Sequence, residues 1–426
     1  FWLKVLKSLS SPRTPPRPRF APLDNYAMML APVRRLAASA AARQSCRTAV
    51  TLAPGDGEVR NNWTREEIRE IYHSPLLELA FRAAAVHRIH HNPREVQQST
   101  LLSIKTGGCS EDCGYCSQSQ HHKTMVKPTK MEKVDDVLVK AREAKEAGST
   151  RFCMGAAWRG AGNKKSFEDV LTMVREISGM GMETCTTLGL ISAEQAKRLK
   201  EAGLTAYNHN LDTSPEHYKK VVSTRTYGDR LETLANVREA GISVCSGGIL
   251  GIAETEEDRV GLLQTLANLP EHPESVPINA LVPVEGTPIG DKQIAEGGMV
   301  RWNDMVRAIA TARIVMPKSS VRLSAGRMEF SQEAQGFMFM CGANSIFTGD
   351  KLLTTANPAF DDDQAMFKVL GLKGKAPFTG STAGLRPKWA PVMDAPADPQ
   401  EVSAPAGDYA PYPPATTGPR PQAAVW

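Results

Sequence analysis

Short apolar runs alternate with longer helical segments through the middle of the chain. Three of the helical segments end in the same tripeptide, Glu-Ala-Gly, at residues 146–148, 201–203 and 239–241. Glycine suits the left-handed residue that ends a helix, and an apolar run follows each of these glycines at once. The pattern therefore predicts helix and strand units that repeat on a regular schedule.

Capping boxes predict where two of the helices begin. Thr64 with Glu67 predicts a helix that runs to His91, ahead of the first strand, and Ser192 with Gln195 predicts the start of another. In each box a hydroxyl and a longer polar side chain satisfy backbone N–H groups that the first helical turn leaves unpaired. The first of these helices forms an N-terminal extension to the repeating units.

Eight apolar runs are predicted to be strands. Strands separated by helices favour parallel pairing, and right-handed crossovers wind such units into an open sheet or a closed barrel. About 320 residues for eight units fits an α/β fold of the (β/α)8 TIM-barrel type. An open doubly wound sheet is the alternative. The predicted strands are 101–106, 150–155, 182–187, 204–210, 242–248, 276–283, 320–325 and 343–348.

The start of the chain is basic, and rich in Ala and Ser. Residues 1–55 hold nine Lys or Arg and one acid. Segments of this kind direct proteins to organelles, so residues 1–57 are predicted to be a transit peptide or, alternatively, a disordered basic tail. The arginine spacing favours the mitochondrial matrix over the plastid. Because the sequence opens on Phe1 and not on Met, it is expected either to be a fragment or to have its true start at Met28 or Met29.

The other end of the chain is rich in Pro and Ala and has no apolar period, so residues 376–426 are predicted to be a disordered tail. Residues 58–375 remain as the folded domain. The formal net charge of +5 becomes about −3 when the +8 of residues 1–55 is subtracted, so the domain is not expected to bind nucleic acid through bulk charge. No apolar run approaches the length of a membrane span, and no membrane partner is expected.

Cys109, Cys113 and Cys116 form a CxxxCxxC loop after the first predicted strand. Eight cysteines are too few for a disulfide scaffold in a chain of 426 residues, and their position beside glycines indicates metal use in a reducing compartment. Three thiolates on one loop can hold three corners of a cubane iron-sulfur cluster and leave the fourth iron open to a small molecule. A structural zinc ion, with His121 or His122 as the fourth ligand, is the alternative.

Three more cysteines lie in or near the C-terminal halves of three predicted strands, at Cys153, Cys185 and Cys245. The carboxyl ends of parallel strands in a barrel point at one mouth, so these thiols are predicted to converge as a second metal site. The alternative is that they are small buried apolar side chains. Cys341 matches no such position and is expected in the core, whereas Cys46 falls in the predicted transit peptide.

Seven segments, in order along the barrel, resemble the biotin synthases, a family of the radical S-adenosylmethionine superfamily. The resemblance covers roughly residues 60–374 and implies a (β/α)8 barrel, usually a homodimer, that carries two different iron-sulfur clusters and inserts sulfur into dethiobiotin. The segments are 103–109, 151–158, 207–213, 244–249, 277–279, 321–327 and 342–346.

The resemblance also implies roles for individual residues. The loop cysteines would hold a 4Fe-4S cluster that binds S-adenosylmethionine, and the three strand cysteines with Arg322 would hold a 2Fe-2S cluster. Arg322 is an unusual ligand, because a guanidinium is normally cationic. Residues that resemble S-adenosylmethionine contacts are Tyr115, Met154, Gly155, Ala156, Ala157, Trp158, Asn210, Asp212 and Ile249. Residues that resemble dethiobiotin contacts are Lys105, Asn208, Asn210 and Asn279.

No side chain is expected to act as a catalytic acid or base, because the hydrogens of an unactivated C–H carbon have no useful acidity. The resemblance implies two kinds of protein partner, an electron donor such as a ferredoxin or flavodoxin-type protein, and the iron-sulfur assembly machinery. Another radical S-adenosylmethionine enzyme on this scaffold would keep the loop but need not keep the second set of ligands. A non-catalytic metal-binding interaction protein is the alternative from a different class.

One position departs from the family pattern. Bacterial members read Gly-Leu-Gly-Glu-Thr where this chain has Gly-Ile-Ala-Glu-Thr at residues 251–255, with Ala253 in place of glycine. If that position needs a positive φ angle, the methyl group of Ala253 is expected to strain the turn.

Overall fold

The computed structural model describes residue 53 and residues 55–161, 163–298, 300–349 and 352–377. Almost all of the predicted transit peptide and of the predicted C-terminal tail lies outside these residues. Among the described residues, no helix is both long and apolar enough to cross a bilayer.

Two helices, not one, precede the barrel: α1 (Arg65–His73) and α2 (Leu76–His90). The capping box of Thr64 and Glu67 is confirmed, but the prediction of one continuous helix is wrong. Pro75 disfavours a helical backbone at the residue before it, and Ser74 is extended at φ −51° and ψ 152°.

The barrel closes through parallel strands, as predicted. Strands β1 to β5 pair in chain order, then β5 pairs with β7, β7 with β8, β8 with β9, and β9 with β1. The pairing of β9 with β1 excludes an open sheet. The strands are β1 (Glu95–Lys105), β2 (Arg151–Ala156), β3 (Glu183–Thr187), β4 (Ala206–Asn208), β5 (Ser243–Cys245), β6 (Gly248–Leu250), β7 (Ser275–Ala280), β8 (Ser320–Leu323), β9 (Ala343–Phe347) and β10 (Lys373–Gly374).

Two strands were not predicted. The run at 242–248 is split, because the chain passes so close to β7 at Gly247 that a Cβ there would lie 1.9 Å from the Pro277 carbonyl oxygen. The chain resumes as β6, which pairs with β7. The two-residue strand β10 pairs with the start of β1.

Ten helices follow β1 in the described residues, and the predicted helix ends are confirmed. Gly148, Gly203 and Gly241 have φ angles of 94°, 98° and 70°, and the capping box of Ser192 and Gln195 opens α5. The helices are α3 (Val134–Glu146), α4 (Lys164–Gly179), α5 (Ala193–Glu201), α6 (Pro215–Val221), α7 (Tyr227–Glu239), α8 (Glu256–Ala267), α9 (Pro288–Glu296), α10 (Trp302–Val315), α11 (Gln332–Met340) and α12 (Phe360–Leu370).

Strand β2 shows how the barrel separates two environments. Phe152 and Met154 belong to the large apolar core. The alternate residues Arg151 and Cys153 have the opposite orientation, and Cys153 forms a separate small cluster with Cys185 of β3. Alternation along the strand therefore delivers chemistry-bearing side chains to the barrel interior.

In the turn after β6, Ala253 has the left-handed backbone conformation that favours the glycine of the bacterial relatives. Ala253 is exposed, with a φ angle of 66°. The turn is fixed by the Glu254 carboxylate, which accepts from the N–H groups of Gly251 at 2.9 Å and Ile252 at 2.7 Å and from Arg259 Nε at 2.8 Å. A left-handed residue with a Cβ costs about 1–2 kcal/mol, so these contacts hold a strained turn.

We expect Ala253→Gly to raise the free energy of unfolding by about 0.5–1 kcal/mol, since relief of the strain exceeds the added entropy of the unfolded chain. Ala253→Val is the matched control and should destabilise, because a β-branched residue tolerates this conformation less well. Urea denaturation of the metal-free protein measures both. A glycine variant less stable than the parent would contradict the strain.

Candidate functional site

A cavity of about 350 Å³ opens at the carboxyl ends of the barrel strands and reaches into the interior. Its outer wall includes the three cysteines of the CxxxCxxC loop. Its inner wall includes Cys153, Cys185 and Arg322, which are at most 3% exposed. One cavity therefore joins the two predicted metal sites.

The backbone of the cysteine loop is fixed on several sides. Cys109 N–H donates to the Gln118 carbonyl at 2.9 Å, Cys116 N–H to the Cys113 carbonyl at 2.9 Å, and Gly114 N–H to the Val221 carbonyl at 2.8 Å. The loop begins with two left-handed glycines, and a Cβ on Gly107 would lie 3.0 Å from the Cα of Pro128. The glycines let the loop turn tightly against the following segment.

Burial raises the pKa of all three loop thiols, that of Cys113 to about 12. The Arg225 guanidinium opposes this effect at Cys113, where Nη2 lies 3.4 Å from Sγ. Buried thiols with raised pKa values release protons only when a strong Lewis acid takes their place. Without a metal the three loop thiols therefore favour the protonated form, and bound iron would stabilise them as thiolates.

The interior thiols are neighbours across the sheet. Cys153 pairs with Cys185 between β2 and β3, and a hydrogen bond between the two thiols lowers the pKa of Cys153 to about 7 and raises that of Cys185. Arg322 and Arg151 also lower the pKa of Cys153, whereas Cys245 helps to raise that of Cys185. Cys153 and Cys185 are therefore adjacent in the barrel, and their convergence with Cys245 on one metal site stays a prediction.

Arg322 carries a buried positive charge that no carboxylate of the described residues neutralises. It is 1% exposed, and its guanidinium donates to neutral oxygens, Ser345 Oγ at 3.0 Å and, more weakly, Gln97 Oε1 and Ser99 Oγ at 3.4 Å. It also lies 4.6 Å from the centre of the Phe347 ring. A buried charge without an ion-pair partner is costly, so this position calls for an anion in the cavity.

A layer of hydrogen-bonded polar side chains lies in the barrel interior next to the thiols. This layer was not predicted from the sequence. Arg151 Nη2 and Nε donate to Glu183 Oε2 at 2.6 and 2.8 Å, and Gln97 Nε2 donates to the same oxygen at 3.1 Å. Arg151 and Glu183 each lie two residues before a barrel cysteine, so strand alternation places them on the same interior face. That two-residue offset was the available signal.

Amide side chains line the other side of the cavity. Asn208 Nδ2 donates to Asn210 Oδ1 at 3.2 Å and lies 3.3 Å from Cys245 Sγ. Asn279 is held at both ends, since Nδ2 donates to the Gly248 carbonyl at 2.8 Å and Oδ1 accepts from Ala325 N–H at 3.2 Å. These amides are positioned before any ligand arrives.

Asp212 forms a buried ion pair between the loop and the amides. It accepts from Tyr115 Oη at 2.9 Å and pairs with Arg230, and both members of the ion pair are at most 4% exposed in their side chains. Asp212 has a left-handed backbone, with φ 67°. The Arg225 guanidinium at Cys113 comes from the segment after α6 and the Arg230 guanidinium from α7, and no sequence pattern pointed to either.

The arrangement disfavours a structural zinc ion. Among the described residues, no three Cys, His, Asp or Glu side chains come close enough to bind one metal ion. The ring nitrogens Nε2 of His121 and His122 instead lie 3.1 and 3.0 Å from the carbonyl oxygens of Ser110 and Cys113. Thiolates of an iron-sulfur cluster bind different irons, so they lie farther apart than the ligands of a single ion.

Two sequence families match the domain. The Radical SAM superfamily matches residues 103–266, and the Biotin and Thiamin Synthesis associated domain matches residues 277–373. A biotin synthase from Cytophaga hutchinsonii is 61% identical over 76% of this chain and 95% of its own length. The mitochondrial biotin synthase of Arabidopsis thaliana is 60% identical over 78% of this chain and 89% of its own length.

The chain belongs to the biotin synthase family. It is therefore a radical S-adenosylmethionine enzyme of biotin formation, a family whose members use iron-sulfur clusters and S-adenosylmethionine. Two solved structures share the fold at low identity. Methylornithine synthase has a TM-score of 0.60 at 16% identity, over 73% of this chain and 94% of its own. An FeFe-hydrogenase maturase from Carboxydothermus hydrogenoformans has a TM-score of 0.62 at 14% identity, over 75% of this chain and 76% of its own.

Most of the residues that the biotin synthase resemblance singled out line the cavity. Lys105, Met154, Gly155 and Cys245 do not. The Lys105 ammonium donates to the carbonyls of Gly107 and Ala157, which ties the cysteine loop to the end of β2. The individual ligand roles of all these residues stay predictions.

Asp212→Ala is expected to lower the free energy of unfolding of this biotin synthase by about 3–5 kcal/mol, because it leaves the buried Arg230 guanidinium without a counter-charge. Asp212→Asn should lose less, since asparagine tolerates the left-handed backbone and still accepts a hydrogen bond from Tyr115. Urea denaturation of the metal-free protein gives both values. Both variants remove the counter-charge of Arg230, so a loss below about 1 kcal/mol in both would show that the ion pair is not what Asp212 contributes.

Proposed function

We propose that this chain makes biotin from dethiobiotin in the mitochondrial matrix, with the sulfur taken from an iron-sulfur cluster inside its own barrel. The observation that carries the proposal is the single cavity in which the cysteine loop faces two interior thiols and a buried arginine without a carboxylate partner. The mitochondrial location is supported by the mitochondrial relatives in Arabidopsis thaliana and Emericella nidulans.

Cys109, Cys113 and Cys116 would hold a 4Fe-4S cluster at the mouth of the barrel. The three thiols share the cavity wall, and three ligands leave one iron open for S-adenosylmethionine. When bound, the cluster and S-adenosylmethionine supply a radical that can take hydrogen from an unactivated C–H carbon, which no side-chain acid or base can do at neutral pH.

Cys153, Cys185, Cys245 and Arg322 would hold a 2Fe-2S cluster in the interior. The donor set fits, because Cys153 and Cys185 are paired on neighbouring strands, Cys245 is buried on β5, and all three thiols can bind iron as thiolates. The unpaired charge of Arg322 also fits, because a thiolate-bound cluster is anionic and neutralises a guanidinium that otherwise has only neutral partners. The 2Fe-2S cluster would supply the sulfur atom.

The protein side chains between the two sites would orient the organic ligands. Asp212, held by Tyr115 and Arg230, is placed to accept from ribose hydroxyls, and Trp158 lies on the cavity wall beside the loop. The fixed amides of Asn210 and Asn279 can donate to and accept from the cyclic urea of dethiobiotin.

Apolar residues from five strands and their connections, among them Leu101 and Phe347, complete the cavity wall. Bound substrate would be shielded from water, which limits side reactions of a reactive intermediate.

The proposal requires partners outside the chain. An electron donor of the ferredoxin or flavodoxin type would drive each round, and the iron-sulfur assembly machinery would rebuild the cluster that gives up sulfur. We also expect a homodimer, as the family resemblance implies. Sedimentation of the holoenzyme tests the dimer.

Cysteine variants should separate the two sites. After anaerobic reconstitution we expect about six iron atoms per chain, four at the loop and two in the interior. Cys113→Ala should keep the interior iron and lose cleavage of S-adenosylmethionine. The double variant Cys153→Ala, Cys185→Ala should keep the loop iron and some cleavage but form no biotin.

The matched control is Cys341→Ala, since Cys341 is a buried cysteine in the core cluster, away from the cavity lining. Iron analysis with absorption and electron paramagnetic resonance spectra should show both species in this control. Both species in the Cys153 and Cys185 double variant would rule out the interior site.

An isotope experiment tests the sulfur source. The protein is reconstituted with iron and heavy-isotope sulfide, freed of excess sulfide, and given dethiobiotin, S-adenosylmethionine and dithionite without air. Biotin from the first turnover should carry the heavy isotope, as measured by mass spectrometry. Unlabelled biotin would mean that the sulfur comes from another source, and no biotin at all would contradict the proposed reaction.

A further inference from the structure

Two basic segments lie against the outer side of the cysteine loop. We define the basic rim as Lys123, Lys127, Lys130, Lys219 and Lys220, all of which are exposed. The first three belong to the segment that follows the loop, and the last two belong to α6. The mechanism proposed above uses none of them.

Hydrogen bonds fix the first segment to the loop. His122 Nε2 lies 3.0 Å from the Cys113 carbonyl oxygen, and Thr124 Oγ1 donates to the Ser117 carbonyl at 2.7 Å. Thr129 N–H donates to the Thr106 carbonyl at 2.9 Å, just ahead of the loop glycines. Lys123 and Lys127 lie between these anchors, so their backbone positions follow that of the loop.

Helix α6 meets the loop from the other side. The carbonyl of Val221, at the end of α6, accepts from Gly114 N–H at 2.8 Å. Gly114 lies between two of the loop cysteines in sequence. Lys219 and Lys220 therefore belong to the last helical turn before this contact.

The charge of the rim is not neutralised by its surroundings. The lysine ion pairs found in the described residues involve Lys140, Lys292 and Lys373, and no rim lysine is among them.

The acids of the cysteine loop already have partners. Buried Glu111 lies 3.7 Å from Arg159 and 3.8 Å from Arg225, and Asp112 accepts from Ser223 and Thr224. Exposed acids near the rim are Glu285, next to the glycine that packs on the Lys123 carbonyl, Glu216 of α6, which pairs with Arg65 at 3.2 Å, and Asp135 and Asp136 in the first turn of α3. Five exposed lysines thus flank the cysteine loop on two sides, on a domain whose share of the formal charge is about −3.

We propose that the basic rim is the docking surface for the electron donor, and that the donor is a small redox protein with an acidic face. The inference rests on the proposed function, which requires electrons to enter at the cysteine loop. In the step itself the docked donor is oxidised by one electron and the iron-sulfur group held by the loop is reduced by one, and no bond or proton is exchanged at the rim. Complementary charge speeds and orients such encounters.

The test compares binding of an acidic 2Fe-2S ferredoxin to the reconstituted full-length protein and to the triple variant Lys123→Glu, Lys127→Glu, Lys220→Glu. We expect Kd to rise at least tenfold at low salt, and the dependence of Kd on salt to flatten, because fewer charge contacts remain to be screened. The matched control is Lys197→Glu, Lys318→Glu, Lys368→Glu. It makes the same charge change at exposed lysines outside the rim and should keep the parental Kd.

Reduction by dithionite needs no docking surface. It therefore distinguishes a failure of the docking inference from a failure of the proposed function. The rim variant should form biotin with dithionite at the parental rate, within about twofold, but more than tenfold more slowly with reduced ferredoxin. Unchanged ferredoxin binding in the rim variant would overturn the inference, as would an equal loss in the control, or binding of a single-stranded RNA probe in place of the ferredoxin. Failure of the parent to form biotin with dithionite would instead count against the proposed function, and the binding comparison would still test the rim.

Discussion

The charge of one buried guanidinium constrains the whole interior of the barrel. Arg322 lies on β8, almost fully buried, with hydroxyl and amide oxygens as its hydrogen-bond partners. The nearby Glu183 carboxylate forms an ion pair with another arginine, Arg151, and so does not neutralise Arg322. Arg322 therefore needs an anion that the described residues do not otherwise provide. In the proposed function, thiolates at Cys153 and Cys185, joined by iron and sulfide, would meet that need.

In the proposed function, two metal sites would share this one cavity, a loop site at Cys109, Cys113 and Cys116 and an interior site at Cys153, Cys185 and Cys245. The loop site lies where the strands end, on backbone that glycines and hydrogen bonds hold in place. The interior site lies on the strands themselves, where neighbouring strands hold each side chain in register. Under this proposal, an open site at the mouth would receive S-adenosylmethionine and electrons, whereas a closed site in the interior would protect a group that is consumed in the reaction. Substrate held between them would meet both.

Much of this arrangement could be predicted from local sequence rules. The tripeptides at helix ends, the capping boxes and the apolar runs predicted the alternation of helices and strands, and the positions of Cys153 and Cys185 near strand ends predicted that they lie close together. The break at Ser74 could have been predicted, because Pro75 carried the signal. Long-range features could not: the split between β5 and β6 comes from close approach to Pro277, and Arg230 reaches Asp212 only through the packing of α7. The sequence pattern also predicted that Cys245 is an interior thiol. It did not predict that the Asn208 side chain lies against its sulfur.

The left-handed backbones of Ala253 and Asp212 show that this chain holds strained residues around its site. Both lie in connections at the carboxyl ends of strands. Such connections carry function in barrel enzymes, while the strands and helices provide the rigid support.

Mössbauer spectroscopy of the protein reconstituted with iron-57 tests the central claim most directly, because it reports each iron environment without reference to activity. The account predicts two sets of signals in an area ratio of about two to one, for a four-iron and a two-iron group in the same chain. A spectrum with a single cluster environment, in protein that still binds iron at the loop, would contradict it.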